Sequence, residues 1–338
     1  MSAFSHIQWT EYKEQVLHNP YPRSESCPIC HAASPFWTKL YDERHGFAGS
    51  FAYHRCHDCG LVFQRHSMTA SEISSLYSEY YPRSAFSEHD WQPYSWTPGF
   101  ASWLEGQSSA YMYVPKNVRV LDIGCGFGNA LGYHRDRGCS VHGTEMDANA
   151  QRVAASQHLD IRQGAFNPAE WEPASFDYVT LDQVLEHNYE PLSLLRDIRA
   201  VLKPDGVLLL TTPNAGSLLA KLLGRRWIHW HPPYHVLLYT RQAVTRLLRD
   251  AGYSVMRIKT VTASAWMRYQ FIHSGLRNAE GAKSPFWDPR ADRALSAVES
   301  RHMVLAGRLH RFHVFAFATR LLDECGVGDN LIVWAKPR

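Results

Sequence analysis

Three short stretches of the chain carry residue types that do chemistry, at spacings that let them act together. The first is a pair of CxxC knuckles, Cys27-Pro-Ile-Cys30 and Cys56-His-Asp-Cys59. Four thiolates on two knuckles make a closed tetrahedral donor set, which suits structural zinc and leaves no open position for a reaction. The twenty-five residues between the pairs include Phe36, Trp37, Phe47, Phe51 and Tyr53, a gap a little longer than the commonest ribbon spacing. A redox pair is the competing use. His31, His54 and His57 stand near enough to replace a cysteine, but four cysteines make that unnecessary. The chain has seven cysteines, and an odd number in a reducing compartment argues for metal over disulfides. Cys125, Cys139 and Cys325 read as small apolar residues in or near core elements.

The second stretch is Val-Leu-Asp-Ile-Gly-Cys-Gly-Phe-Gly at 120–128, a strand that runs into a GxGxG turn and then a helix. Glycines there let the backbone turn sharply and let a ligand approach the main chain. A dinucleotide is the first competitor. Two details speak against it: the spacing is GxGxG and not GxGxxG, and Asp122 stands just before Gly124, where its charge repels a pyrophosphate and welcomes a cation. The next strand ends at Glu145, twenty-one residues after Gly124, the usual place for an acid that accepts hydrogen bonds from both ribose hydroxyls.

The third stretch, Arg225 to Tyr239, reads RRWIHWHPPYHVLLY. A metal site could draw on His229, His231 and His235, but no carboxylate accompanies them locally and Pro232-Pro233 predicts an extended path. A nucleic-acid clamp could draw on Arg225, Arg226, Trp227 and Trp230. The remaining use is the wall of a reaction pocket. His235 is then the candidate general base, since imidazole exchanges protons near neutral pH, and a histidine that merely fixes the loop is the alternative.

These groups depend on the elements that carry them. From Asn117 strands and helices alternate: VRVLDIG, a helix after Gly128, CSVHGTE, a helix near Ala148 to Gln157, FDYVTLD, and a helix from Pro191 to Leu202 that the Lys203-Pro-Asp-Gly206 turn ends. VLLLTT is apolar throughout, as a strand buried on both faces must be. The pattern predicts an α/β fold with a Rossmann-like, doubly wound, mostly parallel sheet. Thr240 caps a further helix ending at Gly252, and strands near Ser254 to Val261 and Asn330 to Ala335 finish the sheet. Between them, about 263–325 reads as a mostly helical insertion, in which Leu295, Val298, Leu305, Leu309 and Phe312 recur at helical spacing and predict a packed core face. Before the sheet lie an N-terminal zinc-ribbon region, 1–80, and a Pro- and aromatic-rich connector with a helix near Phe100 to Tyr113, 81–116; residues 117–338 form the main domain.

Composition excludes little but orders the partners. Lys and Arg number 35 against 32 Asp and Glu, a formal net charge of +3, and the dispersed charge gives no electrostatic case for nucleic acid. The start MSAFSHIQWTEYKEQ has no apolar h-region, and no run approaches the roughly 18 apolar residues that span a bilayer. A soluble, cytoplasmic protein is the expectation, with homodimerisation left open.

The set of strand, GxGxG, strand-end Glu145, FDYVTLDQVLEH and LKPDG resembles the class I S-adenosylmethionine-dependent methyltransferases over about 117–262 plus the last strand. Carried over, the resemblance implies that Asp122, Gly124, Gly126 and Gly128 line the methionine and ribose part of S-adenosyl-L-methionine and that Glu145 holds the ribose. It implies Gly164-Ala165-Phe166 near the adenine, with Phe166 stacking in place of the acid or amide often found there, and Asp182 on the cofactor side. A ribbon followed by CGLVF and Leu-Tyr-Ser-Glu-Tyr-Tyr (76–81) resembles a bacterial group acting on carbohydrates and small metabolites. Tyr234-His235 followed by Tyr239-Thr240 is similar to the stretch after the fifth strand in sugar C-methyltransferases, where a histidine is the base; Tyr239 joins His235 on that ground. His187 is the second candidate, because Gln183, Glu186 and His187 occupy the places where ubiquinone-type O-methyltransferases resemble a divalent-metal site, with Gln183 replacing one acid. Pro-Pro-Tyr resembles the NPPY signature of amino-group methyltransferases, but it follows the fifth strand and His231 replaces the Asn. The leading expectation is methyl transfer to oxygen or carbon of a carbohydrate or related metabolite. The alternatives are an RNA methyltransferase that grips nucleic acid through the ribbon and the Arg/Trp loop, and a binding protein that retains the fold.

Overall fold

A computed structural model describes residues 26–65, 68, 76–80 and 91–338; expectations for 1–25 and for the connector from 81 to 90 lie outside the described residues. Strands β1 (Phe36–Tyr41), β2 (Ser50–Arg55) and β3 (Val62–Gln64) form an antiparallel meander beside the two cysteine knuckles. The predicted helix near Phe100 to Tyr113 is broken in two: α1 (Phe100–Glu105) stops at Gly106, whose φ of 91° no helix accepts, and Ala110–Tyr113 forms a 3-10 turn.

The alternating region follows as β4 (Arg119–Ile123), α2 (Asn129–Arg135), β5 (Ser140–Glu145), α3 (Ala148–Ser156), β6 (Asp160–Gln163), β7 (Phe176–Asp182), α4 (Pro191–Val201), β8 (Leu202–Pro213) and α5 (Leu218–Leu223). After it come β9 (Leu237–Leu238), α6 (Arg241–Asp250), β10 (Tyr253–Val261), α7 (Ser264–Gly275), α8 (Ala297–Arg311), α9 (Val314–Glu324) and β11 (Asn330–Pro337). Local chemistry sets these boundaries as expected. Pro191 opens α4 at a position whose N–H has no helical partner, and the Thr240 hydroxyl caps α6 by accepting from Ala243 N at 3.1 Å.

The main sheet has the order β10-β11-β8-β7-β4-β5-β6, parallel from β8 to β6 and antiparallel on both sides of β11. The chain winds outward from β4 through β5 to β6, then returns to β7 on the other side of β4, so a crevice opens at the carboxyl ends of β4 and β7. This is the expected doubly wound sheet. Lys203–Gly206, however, make no separate turn. They lie inside β8, which pairs Leu202 with Phe176 and resumes with Val207 opposite Tyr178, and the Lys203 ammonium holds the irregularity by an ion pair to Asp177 at 2.6 Å.

Two features depart further from expectation. Strand β9, from the histidine-rich stretch, pairs antiparallel with β3, so that stretch completes the N-terminal sheet. Cys27, Cys56 and Cys59 accordingly share one hydrophobic cluster with Leu121, Val179 and Leu208 of the main sheet. In the insertion, three residues of the stripe expected as a packed face point outward, Val298 at 75% and Phe312 at 73% exposure with Leu305 beside them, while Leu295 packs against the Ile272 cluster and Leu309 is half-buried. The inner faces of α8 and α9 instead meet Phe271 of α7, which stacks on His302 at 4.3 Å and packs on Phe315 at 5.6 Å. Cys325 is also exposed, just past the end of α9, and so is no core residue. Among the described residues no helix is long and apolar enough to cross a membrane.

Candidate functional site

The glycine loop lies at the mouth of the crevice. Gly124, Gly126 and Gly128 all have positive φ, at 71°, 56° and 76°, and Gly124 and Cys125 both donate to the Thr144 carbonyl, which docks the loop against β5. A Cβ on Gly124 would stand 2.7 Å from Val184 Cγ2, and one on Gly128 2.6 Å from Leu159 Cδ1, so these two glycines serve close packing. A Cβ on Gly126 would meet no atom within 4 Å. Gly126 is the point where a ligand can reach the main chain.

Carboxylates surround that opening. Glu145, at the end of β5, accepts from Gly126 N at 2.9 Å and from Asp147 N at 3.1 Å. Asp122 is buried under the loop with Thr180 Oγ1 donating to it at 2.6 Å; burial, with Asp182 and Glu145 nearby, pushes its carboxyl up to about 7. Asp182, at the end of β7, accepts from Ala110 N at 3.0 Å and from the Thr211 hydroxyl, and burial raises it too. A buried acid whose ionisation Asp182 and Glu145 oppose suits a positively charged ligand. Gly164 N donates to the Glu145 carbonyl at 2.9 Å, which brings the following Phe166, half-buried against the core, to the same edge. Trp91 donates its indole N–H to the Phe127 carbonyl at 2.7 Å and closes the loop from the connector side.

The histidine-rich stretch does not run extended past its prolines. Ile228–Trp230 form a 3-10 turn, His231 takes left-handed φ of 38°, and His235 N donates back to the His231 carbonyl at 3.1 Å, so the segment curls on itself. The curl brings His235 against the segment after β7. The His187 and His235 rings meet edge-on at 4.8 Å, with His187 Nδ1 2.8 Å from the Tyr234 carbonyl and His235 Nδ1 2.7 Å from the His229 carbonyl. A carbonyl only accepts, so both Nδ1 atoms carry hydrogen, and in the neutral ring it is Nε2 that bears the lone pair. Glu186 is fully buried beside them; its Oε2 accepts from Thr212 Oγ1 at 2.9 Å, while Oε1 has no partner among the described residues. One ligand atom from each of Glu186, His187 and His235 lies within 4.8 Å of the others, a set able to hold a cation or share a proton. Burial pushes Glu186 up to about 8 and, with His187 beside it, holds His235 well below the usual imidazole range.

The other expected residues are placed differently. Tyr239 is buried in the hydrophobic core, with its hydroxyl donating to the Leu185 carbonyl at 3.3 Å. Trp227 and Trp230 are almost wholly buried, Arg225 donates to the Lys39 carbonyl, and Arg226 donates to the carbonyls of His273, Ser274 and Leu276. A nucleic-acid clamp built on them has no open ring to stack on. Sequence reasoning missed the residues that hold the stretch from outside it. Tyr53 donates to the His235 carbonyl at 3.0 Å, and the Gln64 amide reaches both the Pro233 and the His235 carbonyl. Arg44 donates to the Ile228 carbonyl and lies over Trp287 of the insertion at 4.6 Å. Beside them a cavity of about 310 Å³ is lined by Leu40, Asp42, Arg44, Trp230 and His231.

The four knuckle cysteines converge. Sγ separations are 3.6 Å for Cys27 and Cys59, 3.3 Å for Cys30 and Cys56, and 3.6 Å for Cys30 and Cys59. A tetrahedral zinc with bonds of about 2.3 Å would set these edges near about 3.8 Å, a small expansion. Ile29 N and Cys59 N point at the sulfurs of Cys27 and Cys56, as knuckle amides do. Hydrogen bonding with Cys59 lowers the Cys27 thiol to about 5, while Cys59 is itself raised by Cys27.

A methyltransferase-domain family model matches residues 100–258. A ubiquinone biosynthesis O-methyltransferase of Pseudomonas aeruginosa is 36% identical over 119 residues, covering 32% of this chain and 51% of that protein. One from Actinobacillus pleuropneumoniae is 34% identical over 107 residues, covering 28% and 46%. The chain thus spans about half the length of the curated relatives it matches. Among solved structures, the [4+2]-cyclase SpnF aligns with TM-score 0.42 and 22% identity over 66% of this chain and 76% of that one.

Proposed function

We propose that this chain is a class I S-adenosylmethionine-dependent methyltransferase that methylates an oxygen or carbon of a carbohydrate or related small metabolite, with His235 taking the acceptor's proton; the methyltransferase-domain match over residues 100–258 and the partial likeness to ubiquinone O-methyltransferases support the reading. One observation carries the reading. Val184 packs against Gly124, and the same short segment continues into Glu186 and His187, which meet His235. The cofactor loop and the proton-accepting groups therefore share a wall.

The open main chain at Gly126 and the carboxylates of Asp122, Glu145 and Asp182 fit a sulfonium cofactor, with Glu145 toward the ribose and Phe166 toward the adenine. When bound, S-adenosylmethionine supplies an electrophilic methyl group. The chain's own task is to orient the acceptor and accept its proton. Burial keeps the His235 imidazole neutral, its Nε2 lone pair available at physiological pH. A proton arriving there stays within reach of the Glu186 carboxyl, one of whose oxygens lies within 4.8 Å. Cys27, Cys30, Cys56 and Cys59 would hold structural zinc, whose charge lets all four thiols ionise. That knot fixes the sheet to which β9 belongs, and β9 begins two residues after His235.

The test is to follow transfer of labelled methyl from S-adenosylmethionine to a panel of free and phosphorylated sugars, with wild type, His235→Ala and His187→Ala. His235→Ala is expected to bind S-adenosylhomocysteine normally and to lose on the order of 10²- to 10⁴-fold in turnover. Full turnover of His235→Ala across the pH profile, with loss in His187→Ala, places the base after β7. Absence of any labelled sugar refutes the substrate class.

A further inference from the structure

We propose that the outer face of α8 and α9 docks on an anionic phospholipid surface. Val298, Leu305 and Phe312 are seven residues apart and so fall nearly in line along α8, with Val304 beside them; Val314, Phe317 and Leu321 repeat at helical spacing along α9. All seven are exposed, Phe317 by 61% and Leu321 by 67%. Their clustering on two consecutive helices is unlike the scattered single apolar residues of an ordinary surface. The inner faces of both helices are already used against Phe271, so this face is turned away from the core.

The charges on the α8 part of this face have one sign. Arg301, Arg308 and Arg311 are exposed between the apolar side chains. The carboxylates of these helices are spent elsewhere. Glu299 is buried and bound by Arg293 at 2.9 Å, and Asp323 is bound by Arg320 and the Thr262 backbone; Glu324, at the far end of α9, is the exposed acid on the two helices. Apolar side chains interleaved with arginines match a surface that offers acyl chains a few ångströms below negative headgroups, which answers both features at once. A second copy fits poorly. A twofold contact sets the same patch against itself, so arginine would face arginine with too little acid to answer it.

Vesicle co-sedimentation of the full chain tests this, with phosphatidylcholine vesicles and with vesicles containing about a third phosphatidylglycerol. Binding is expected to the anionic vesicles, weakening as salt rises. Replacing Arg301, Arg308 and Arg311 by Gln should lower partitioning on the order of 100-fold, and Phe317→Ser with Leu321→Ser at least about 10-fold. S-adenosylhomocysteine affinity and melting should stay as in wild type, which shows that the variants are folded. The proposal is overturned if wild type binds neither vesicle, or if the variants bind as wild type does. It is overturned too if light scattering finds a dimer that Phe317→Ser and Leu321→Ser dissolve, since the face is then an interface between copies.

Discussion

Replacing Gly126 and Gly124 in turn by alanine separates the cofactor surface from the packing that supports it. Both have left-handed φ, of 56° and 71°, which costs a residue with a Cβ about 1 kcal/mol or somewhat more. At Gly126 nothing is added to that, because the new methyl meets no protein atom within 4 Å. Gly126→Ala should therefore fold with a loss of about 1 kcal/mol. Its methyl, however, projects where the proposed cofactor would approach the main chain, beside the N–H that Glu145 accepts at 2.9 Å. A steric misfit of about 1–3 kcal/mol there lowers affinity roughly 5- to 150-fold. At Gly124 the methyl would stand 2.7 Å from the stiff, β-branched Val184, so a collision of similar size is added to the backbone term and stability falls by about 2–4 kcal/mol. Moving Val184 also moves the segment that bears Glu186 and His187. Urea denaturation and calorimetry with S-adenosylhomocysteine read the two effects separately. A Gly126→Ala protein that binds the cofactor product with wild-type affinity refutes the assignment of this loop as the ligand surface.

Glu145→Ala should weaken cofactor binding by about 1.5–3 kcal/mol through loss of charge-assisted hydrogen bonds, and unchanged affinity in calorimetry removes Glu145 from the site. Freshly prepared, reduced protein should contain one zinc per chain by metal analysis; Cys27→Ser should lose it and, because the ribbon sheet includes β9, should lower turnover more than cofactor affinity. The contributions of Asp122 and Glu186 to stability without cofactor should fall as pH rises from about 4 toward 8. Asp122 and Glu186, raised to about 7 and about 8, keep protons in the folded state that the unfolded chain has already released, giving at most about 1.4 kcal/mol per pH unit for each group. Across that range the stability of Asp122→Asn and of Glu186→Gln should gain on wild type as pH rises, and curves parallel to wild type contradict the burial of these acids.

What the sequence carried on its own was whatever neighbours along the chain decide. The GxGxG turn, the N-cap at Thr240 and the helix start at Pro191 follow from backbone freedom, a hydroxyl or a missing N–H at one position, so local order is enough to read them. Unbroken apolar strands gave the parallel sheet, and two close pairs of cysteines gave the four-sulfur cluster. The structure alone decided how distant segments meet. The stripe through Val298, Leu305 and Phe312 has helical period whichever way the helix faces, and only the packing of His302 and Phe315 on Phe271 turned it outward. Nor does anything near His235 in the chain announce Tyr53, 182 residues away, or Gln64, which hold its carbonyl, or Glu186, one of whose carboxylate oxygens lies within 4.8 Å of a nitrogen of its ring. Periodicity fixes which side chains share a face of their own element, but the partner of that face is set by the free energy of burying all the elements together, which no local pattern contains.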